Sequence, residues 1–147
     1  MNISILECKT KYQWVYAKKL RQKYFFDNVP VEDPYTWTFE HKDHLHYIAY
    51  LENEMIGYAH IELWPLQRAA IRIIVIDEDK RNHSFGSQLL RLVEEQLREK
   101  GYKSFHAESR KSSLSFYKKL GYVSMPFDDP DGYESCDEDI PVGKVLL

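Results

Sequence analysis

Small residues open a long amphipathic helix soon after an apolar strand-like run, and this junction is well suited to binding a ligand. Residues 69–76 are almost entirely apolar, and residues 84–87 read Ser-Phe-Gly-Ser before a leucine-rich stretch. The first amides of a helix lack partners within the helix and carry the positive end of its dipole. Because Gly86 lets a ligand approach the backbone, we interpret the junction as a phosphate site with a pyrophosphate as its expected occupant. It lacks the Gly-Lys-Ser/Thr ending of a nucleotide-triphosphate loop.

Three nearby histidines, His41, His44 and His46, are the other group that suggests chemistry. His44 and His46 would share one face of a strand, as metal ligands can. No acidic or sulfur ligand completes the set at a familiar spacing, so solvated strand histidines are the favoured interpretation and metal binding the alternative. We expect no metal. The serines do not lie in a Gly-x-Ser-x-Gly nucleophile elbow either.

Apolar periodicity predicts mixed strands and helices that position these residues. Thr10 and Gln13 resemble a capping box, after which Tyr16, Ala17, Leu20 and Tyr24 fall on one helical face, with Lys18, Lys19, Arg21 and Lys23 around it. Residues 26–43 read as an aromatic loop that could hold a short helix. The predicted strands are residues 3–6, 44–51, 55–63, 69–76, 103–108, 122–127 and 140–147. The other predicted helices are residues 84–100, which Gly101 ends, and a short helix capped by Ser112.

Composition limits the class of protein. The 147 residues are 44% hydrophobic and 29% charged, with a net charge of −3, and are compatible with one globular domain. Because acids and bases are interleaved, we expect no nucleic-acid partner. Two cysteines, Cys8 and Cys136, form no disulfide framework or zinc spacing. There is no signal-peptide pattern and no apolar run of ~20 residues, so we expect a cytoplasmic protein with no membrane partner.

The stretch "IRIIVIDEDKRNHSFGSQLL" resembles the acyl-CoA-binding motif of the GNAT superfamily of N-acetyltransferases, Gln/Arg-x-x-Gly-x-Gly/Ala between a strand and a helix. Arg81 matches the first motif position and Gly86 the last, while Ser84 stands where the first glycine would be. Serine tolerates positive φ less well than glycine. Two further stretches resemble the family in order and spacing: "ENEMIGYAHIEL", its second hairpin, and "SLSFYKKLGYVSM", its Phe-Tyr-x-x-x-Gly-Phe/Tyr segment. The resemblance covers residues 47–125.

The resemblance implies a fold of the α/β (α+β) class, with a mixed, mostly antiparallel sheet of six to seven strands and about four helices, as one domain over residues 1–147. It also implies acetyl-CoA as co-substrate, with the pantetheine arm bound by the backbone of a strand that diverges from its neighbour. Ile74, Val75 and Ile76 occupy that place. The implied phosphate loop is Arg81, Asn82, His83, Ser84, Phe85, Gly86 and Ser87. The Arg81 side chain would either add charge there or be a solvated surface arginine.

Tyr117 matches the family's usual general acid, which protonates the departing thiolate. The alternative interpretation is a core aromatic residue on a short amphipathic helix. The family often places a base on the motif-bearing strand, but Ala70 and Arg72 occupy that face here, and arginine cannot accept a proton at neutral pH. Glu62 and His60, on the preceding strand, are the nearest candidates, and a water chain could serve instead.

The acceptor is less clearly indicated. Seven carboxylates lie between Asp128 and Asp139, where they either favour a cationic amine or belong to a solvated loop. Tyr35, Trp37 and Phe39 would wall the acceptor pocket or cover the core. The predicted function is transfer of an acetyl group from acetyl-CoA to a primary amine, either a small molecule or an exposed lysine or N-terminus, by direct attack in a ternary complex. The alternative is a non-catalytic module that binds coenzyme A or a partner protein. A homodimer is left open.

Overall fold

A seven-stranded sheet forms the centre of the protein, as seen in a computed structural model that describes residues 2–26, 31–132 and 138–146. The strand order is β1-β2-β3-β4-β5-β7-β6, in which β4 and β5 are parallel and every other neighbouring pair is antiparallel. The predicted mixed, mostly antiparallel sheet is therefore confirmed. The strands are β1 Ser4–Glu7, β2 His44–Leu51, β3 Glu54–Trp64, β4 Arg68–Ile76, β5 Ser104–Ser109, β6 Val123–Ser124 and β7 Ile140–Val145.

Three α-helices are present in the described ranges: α1 Lys11–Arg21, α2 Phe85–Glu99 and α3 Leu114–Lys119. This is one fewer than the about four helices expected. The aromatic segment holds a short 3-10 helix, Thr36–Glu40, as the sequence allowed. Five residues rich in β-branched and aromatic side chains favour such a short turn over an α-helix. None of the described helices is both long and apolar enough to cross a membrane.

Local sequence sets the helix beginnings in two different ways. The capping box is confirmed: Thr10 Oγ1 accepts from the Gln13 amide at 3.2 Å, and Gln13 Oε1 accepts from the Thr10 amide at 2.9 Å. Ser112 as a cap was wrong, because a 3-10 turn, Lys111–Ser113, precedes α3 and the position before the helix is Ser113. Such turns supply i→i+3 hydrogen bonds where a side-chain cap is missing.

Helices cover both faces of the sheet. On one face, Leu89, Leu90 and Val93 of α2 pack with Tyr47 and Phe105 in the larger core. On the other face, Ala17 and Leu20 of α1 pack with Ile48, Tyr58 and Val75. Burial of these apolar faces is the main driving force that fixes the layers.

Strand β4 changes which residues face each layer at Arg72. His60 of β3 pairs with Ile73, and the next residue, Ile61, pairs with Ile71, so Arg72 is an extra residue. Before this bulge the odd-numbered Ile71 faces the α2 layer, and after it the even-numbered Ile76 does. The bulge therefore reverses which of the residues after Arg72 face each layer, and it bends the strand.

The same strand leaves its parallel neighbour at this point. Pairing of β4 with β5 runs from Arg68 and Ser104 to Ile71 and Ala107, where it ends. Strand β4 continues to Ile76 alongside β3, while β5 continues to Ser109 alongside β7. The two central strands therefore diverge and open a space between their carboxyl ends.

We predict that Gly57→Ala is destabilising, because a Cβ at Gly57 would lie 2.7 Å from the Val75 carbonyl oxygen. Backbone cannot move aside as a side chain can, so the free energy of unfolding should fall by about 1–3 kcal/mol. Gly143→Ala is the matched control, since the three atoms nearest to its Cβ all belong to the flexible Met125 side chain, and it should cost less. Urea denaturation of both variants measures the difference, and equal losses would contradict the backbone clash.

Candidate functional site

A cavity of about 1210 Å³ extends from the space between the diverging strands to the aromatic segment. It brings together nearly all the residues singled out in the sequence. Those that line it are His60, Glu62, Ile74, Val75, Ile76, Arg81, Asn82, Ser84, Phe85, Gly86, Ser87 and Tyr117. His83 is exposed, with its ring 5.5 Å from that of Phe85, and does not line the cavity.

The loop before α2 keeps a conformation that favours glycine. Ser84 adopts φ 62° and ψ 16°, in the left-handed region, and its side chain makes no capping hydrogen bond. A non-glycine residue in this region costs about 1–2 kcal/mol of conformational free energy. Serine in place of the motif glycine therefore makes the loop less stable but does not change its conformation. The amides of the first turn, Phe85, Gly86 and Ser87, therefore lack a Ser84 cap beside the cavity.

Gly86 fits the interpretation that a ligand approaches the backbone here. A Cβ at this position would make only ordinary contacts, 3.8 Å to Phe116 and 4.0 Å to Ile76. The protein itself would thus accommodate a side chain, and a Cβ would occupy space beside the first-turn amides. These amides and the α2 dipole suit the phosphates of coenzyme A.

Arg81 is held in place rather than freely solvated, although it is exposed. Its Nε donates to the Ile76 carbonyl at 2.9 Å, and its guanidinium lies 4.9 Å from the centre of the Tyr24 ring. The Tyr24 hydroxyl donates to Asp77 at 2.5 Å and accepts from the Glu78 amide at 2.8 Å. The turn that follows α1, Gln22–Phe26, thereby fixes the loop between β4 and α2.

Tyr117 has features of both a core aromatic residue and a residue of the cavity wall. Its ring packs 5.2 Å from Phe116 and 5.3 Å from Tyr122, and the residue is only 8% exposed, as expected of a core aromatic. It also lines the cavity. Burial raises the pKa of Tyr117 to about 12, so the phenol carries its proton at neutral pH.

Charged side chains meet at the other end of the cavity around the bulged Arg72. Its Nε donates to Glu62 Oε1 at 2.9 Å, and its Nη2 donates to Asp129 Oδ2 at 2.9 Å and to the same Glu62 oxygen. Although Asp131 is exposed, some desolvation, the nearby carboxylates of Glu62 and Asp129, and a side-chain hydrogen bond with Glu62 raise its pKa. Sequence reasoning treated Arg72 only as a residue unable to act as base and missed that it orients Glu62.

The acidic segment, residues 128–139, therefore contains both buried and exposed carboxylates. The Asp129 side chain is 1% exposed and paired, which the solvated-loop interpretation did not anticipate, whereas Asp128 is 92% exposed. Residues 133–137, which include Glu134 and Asp137, lie outside the described residues. The Asp129–Arg72 pair joins positions 57 residues apart, so spacing along the chain could not have indicated it.

A buried arginine organises the wall beside Glu62. Arg21, placed by the sequence among charges around α1, is only 1% exposed. Its Nε donates to Asp33 Oδ2 at 2.6 Å, and its Nη1 donates to the Tyr58 hydroxyl at 3.1 Å and to His60 Nδ1 at 3.0 Å. A buried guanidinium requires such partners, because an unpaired buried charge is very costly.

These contacts determine where each nearby histidine carries its proton. A guanidinium only donates, so His60 accepts at Nδ1 and carries its proton on Nε2, which then donates to His44 Nδ1 at 2.8 Å. His46 donates from Nε2 to the Thr38 carbonyl at 3.1 Å and accepts at Nδ1 from the Tyr58 hydroxyl at 2.7 Å. All three rings are therefore neutral in this arrangement.

The solvated interpretation of the strand histidines was wrong for His46, which is 2% exposed. Burial lowers the pKa of His46 and of His44 to about 4, and burial beside His46 and Arg21 lowers the pKa of His60 well below 6.5. Among residues 2–26, 31–132 and 138–146, no group of three or more His, Cys, Asp or Glu side chains is arranged to hold a metal ion.

Comparisons with known proteins agree with this architecture. Residues 14–122 match the sequence model of the Acetyltransferase (GNAT) family. No relative was found among curated proteins. A GNAT-family acetyltransferase from Staphylococcus aureus Mu50 is 20% identical, with a TM-score of 0.76 over 99% of each chain.

Two further solved structures share the fold. The PaiA N-acetyltransferase of Thermoplasma acidophilum, in complex with coenzyme A, is 15% identical with a TM-score of 0.71, over 99% of this chain and 100% of that one. The ribosomal-protein-S18-alanine N-acetyltransferase of Escherichia coli is 17% identical with a TM-score of 0.73, over 98% and 92% of the two chains.

The buried histidines predict a loss of stability in mild acid. As the pH falls below about 6.5, the unfolded chain binds protons at His46 and His60 that the folded chain does not. The free energy of unfolding should fall by up to about 1.4 kcal/mol per pH unit for each histidine, and the His46 contribution should level off as the pH passes about 4. Urea denaturation between pH 4 and pH 7 measures this slope.

Two variants test the assignment of that slope. His46→Gln removes one titrating group and should flatten the slope by about one proton. His41→Gln is the matched substitution at a solvent-exposed position, and an equal flattening in both variants would contradict the role of burial. An unaltered slope in His46→Gln would show that other groups cause the acid sensitivity.

Proposed function

The chain belongs to the GNAT family of acetyltransferases, and we propose that residues 1–147 form one N-acetyltransferase domain that transfers an acetyl group from acetyl-CoA to a primary amine. The observation that carries the proposal is a single cavity with distinct ends. One end has the first-turn amides of Phe85, Gly86 and Ser87, which have no side-chain cap, and the other has the carboxylates of Glu62 and Asp131. Tyr117 lines the same cavity.

Backbone groups would hold the co-substrate. The amides of Phe85, Gly86 and Ser87 suit a pyrophosphate, since three N–H groups and the α2 dipole point in one direction. Residues 74–76 continue β4 where it no longer pairs with β5, so their peptide groups suit the amides of a pantetheine arm. The Thermoplasma acidophilum protein of the same fold was crystallised in complex with coenzyme A.

In the proposed reaction, the amine nitrogen bonds to the acetyl carbon while the carbon–sulfur bond breaks. The sulfur leaves with the bonding electron pair and takes the proton of the Tyr117 hydroxyl. The amine gives up a proton to a base, so that charge balances over the cycle, and solvent exchange restores both groups. Because the acceptor must lose its proton before or during attack, the identity of the base matters.

We propose Glu62 as that base and give His60 a positioning role. Both ring nitrogens of His60 are already bonded, one to Arg21 and one to His44. Both Glu62 bonds from Arg72 go to Oε1, so Oε2 receives no hydrogen bond from Arg72. Carboxylates also attract a cationic amine to this end of the cavity. The acceptor class in the proposal remains a small amine, an exposed lysine or a protein N-terminus.

Turnover is the direct test of the proposal. The protein is incubated with acetyl-CoA and a panel of polyamines, amino acids, aminoglycosides and peptides, and the free thiol released is measured. Release that depends on an amine supports an acetyltransferase. Binding of coenzyme A with no release across the panel would instead support the alternative of a non-catalytic binding module.

We expect Gly86→Val to abolish acetyl-CoA binding, because a branched side chain beside the first-turn amides would exclude a phosphate. Arg81→Ala should only weaken binding, since the backbone supplies most of the contacts. Gly86→Ala is the folding control, because its Cβ makes only ordinary contacts within the protein. Calorimetry on the folded variants measures affinity, and full affinity in Gly86→Val would remove the proposed phosphate site.

Tyr117→Phe tests the proton donor by removing only the hydroxyl. The ring that packs against Phe116 and Tyr122 remains, so folding and acetyl-CoA affinity should be retained within a few-fold. The single-turnover rate should fall by roughly 10²- to 10⁴-fold, the usual contribution of a general acid. An unchanged rate would rule out the acid role, and joint loss of folding and binding would favour a purely structural one.

A further inference from the structure

His44 is the end of a hydrogen-bond chain whose direction is set by Arg21. The chain runs from Arg21 Nη1 to His60 Nδ1 at 3.0 Å and from His60 Nε2 to His44 Nδ1 at 2.8 Å. Arginine stays protonated in proteins, and Asp33 holds this one through Nε at 2.6 Å and through Nη2 at 3.3 Å. While Arg21 donates to Nδ1, a neutral His60 must carry its proton on Nε2.

The fixed tautomer of His60 determines that of His44 in turn. His44 must accept at Nδ1, so a neutral His44 carries its proton on Nε2, at the opposite edge of the ring. In the described part of the chain, Nε2 makes no hydrogen bond, and the half-buried ring lines the cavity 5.3 Å from the ring of Trp37. His44 thus contributes one free polar group to this wall, and that group is a donor.

A donor at this position selects the chemistry of what it contacts. The reacting nitrogen uses its lone pair to attack the acetyl carbon, so the same lone pair cannot also accept a hydrogen bond from His44. A substrate that contacts Nε2–H must therefore do so through a second acceptor in the same molecule, within a few bonds of the amine. A carbonyl, carboxylate or hydroxyl oxygen meets this requirement.

We infer that His44 is a specificity-determining residue that donates a hydrogen bond from Nε2 to an oxygen atom adjacent to the amine of the acceptor substrate. This inference rests on the proposed function and deepens it, because it narrows the acceptor to an oxygen-bearing primary amine. It also separates the roles at the acceptor end: Glu62 accepts the proton, and His44 orients the molecule that loses it.

The charged groups around His44 agree with this division. Arg72 and the neighbouring His41 disfavour a further proton on the ring, while Asp43 and Asp131 favour one. Burial outweighs both and keeps the ring neutral, lowering the pKa of His44 to about 4. Protonation at Nδ1 would also set two N–H groups against each other across the 2.8 Å contact with His60.

Nuclear magnetic resonance of the ¹⁵N-histidine-labelled protein tests the tautomer directly. Long-range ¹H–¹⁵N correlations should show Nε2–H for His44, His46 and His60 at pH 7, and assignment follows from single His→Gln variants. An Nδ1–H tautomer or a cationic ring at His44 would overturn the inference. This readout needs no turnover, so its failure is distinct from failure of the proposed acetyltransferase activity.

Two small amines test the contact itself in the presence of coenzyme A. Glycinamide carries a carbonyl oxygen next to its amine, and ethylamine is the matched probe that lacks it. Glycinamide should shift the Nε2–H proton resonance of His44, and ethylamine at the same concentration should not. Equal shifts, or no shift with glycinamide, would overturn the inference.

Kinetic variants separate donation from proton acceptance. His44→Gln can keep a donor near the Nε2 position, whereas His44→Asn reaches only the Nδ1 position. With an oxygen-bearing amine that is turned over, His44→Asn should raise KM for the amine by roughly 3- to 10-fold with little change in kcat, and His44→Gln should restore KM. A large loss of kcat in both variants would identify His44 as the proton acceptor and overturn its role as a donor.

A paired amine without the oxygen supplies the remaining control. Its KM should be insensitive to both His44 substitutions, because it has nothing to accept the hydrogen bond. If KM rises equally for the two amines, the ring serves only as a wall of the cavity, and the inference fails. Thermal unfolding of each variant checks that the half-buried position tolerates the change.

Discussion

The separation of β4 from β5 after Ile71 is the constraint on which the rest of this structure depends. A parallel strand that stops pairing leaves peptide groups that must find other partners. One carbonyl, that of Ile76, accepts from Arg81. The bulge at Arg72 falls next to the last paired residue, and a bulge bends its strand and shifts the faces of the residues that follow. The space between the two strands, which forms part of the cavity, follows from this divergence.

The buried Arg21–Asp33 pair has a different importance. Taking two charges out of water is costly, so such a pair is weak evidence for stability, and removing one partner alone typically costs about 3–5 kcal/mol. The pair instead fixes the direction of the hydrogen bonds around it. Because the guanidinium can only donate, Tyr58 and His60 must both accept from it, and the proton positions on His60, His44 and His46 follow. A wall containing three adjacent imidazoles is thereby kept neutral beside two arginines.

Ser84 illustrates how a functional loop tolerates local strain. The residue holds a left-handed conformation at a cost that glycine would avoid, and Asn82, two positions earlier, also has positive φ at 69°. The loop is held from both sides, by Arg81 on Ile76 and by Tyr24 on Asp77. Strain of this kind persists where the surroundings over-determine the backbone, as they do at ligand-binding turns.

The sequence alone determined the features that depend on near neighbours along the chain. The capping box at Thr10, the hairpin of β2 and β3, the apolar β4 and the small residues at the start of α2 are all short-range patterns, and together they specified the fold. Their energies come from local backbone geometry and from periodic burial, which can be read from spacing. The start of α3 was placed wrongly because the ends of helices depend weakly on local propensity.

Only the tertiary structure decided the chemistry at the acceptor end. Arg21 reaches His60 across 39 positions and Arg72 reaches Asp129 across 57, so no local pattern distinguishes these arginines from solvated ones. Whether a histidine is a base, a ligand or a donor depends on which atoms face its two nitrogens. That is a property of packing among β2, β3, α1 and the segment before β2, and it exists only when distant residues are brought within hydrogen-bonding distance.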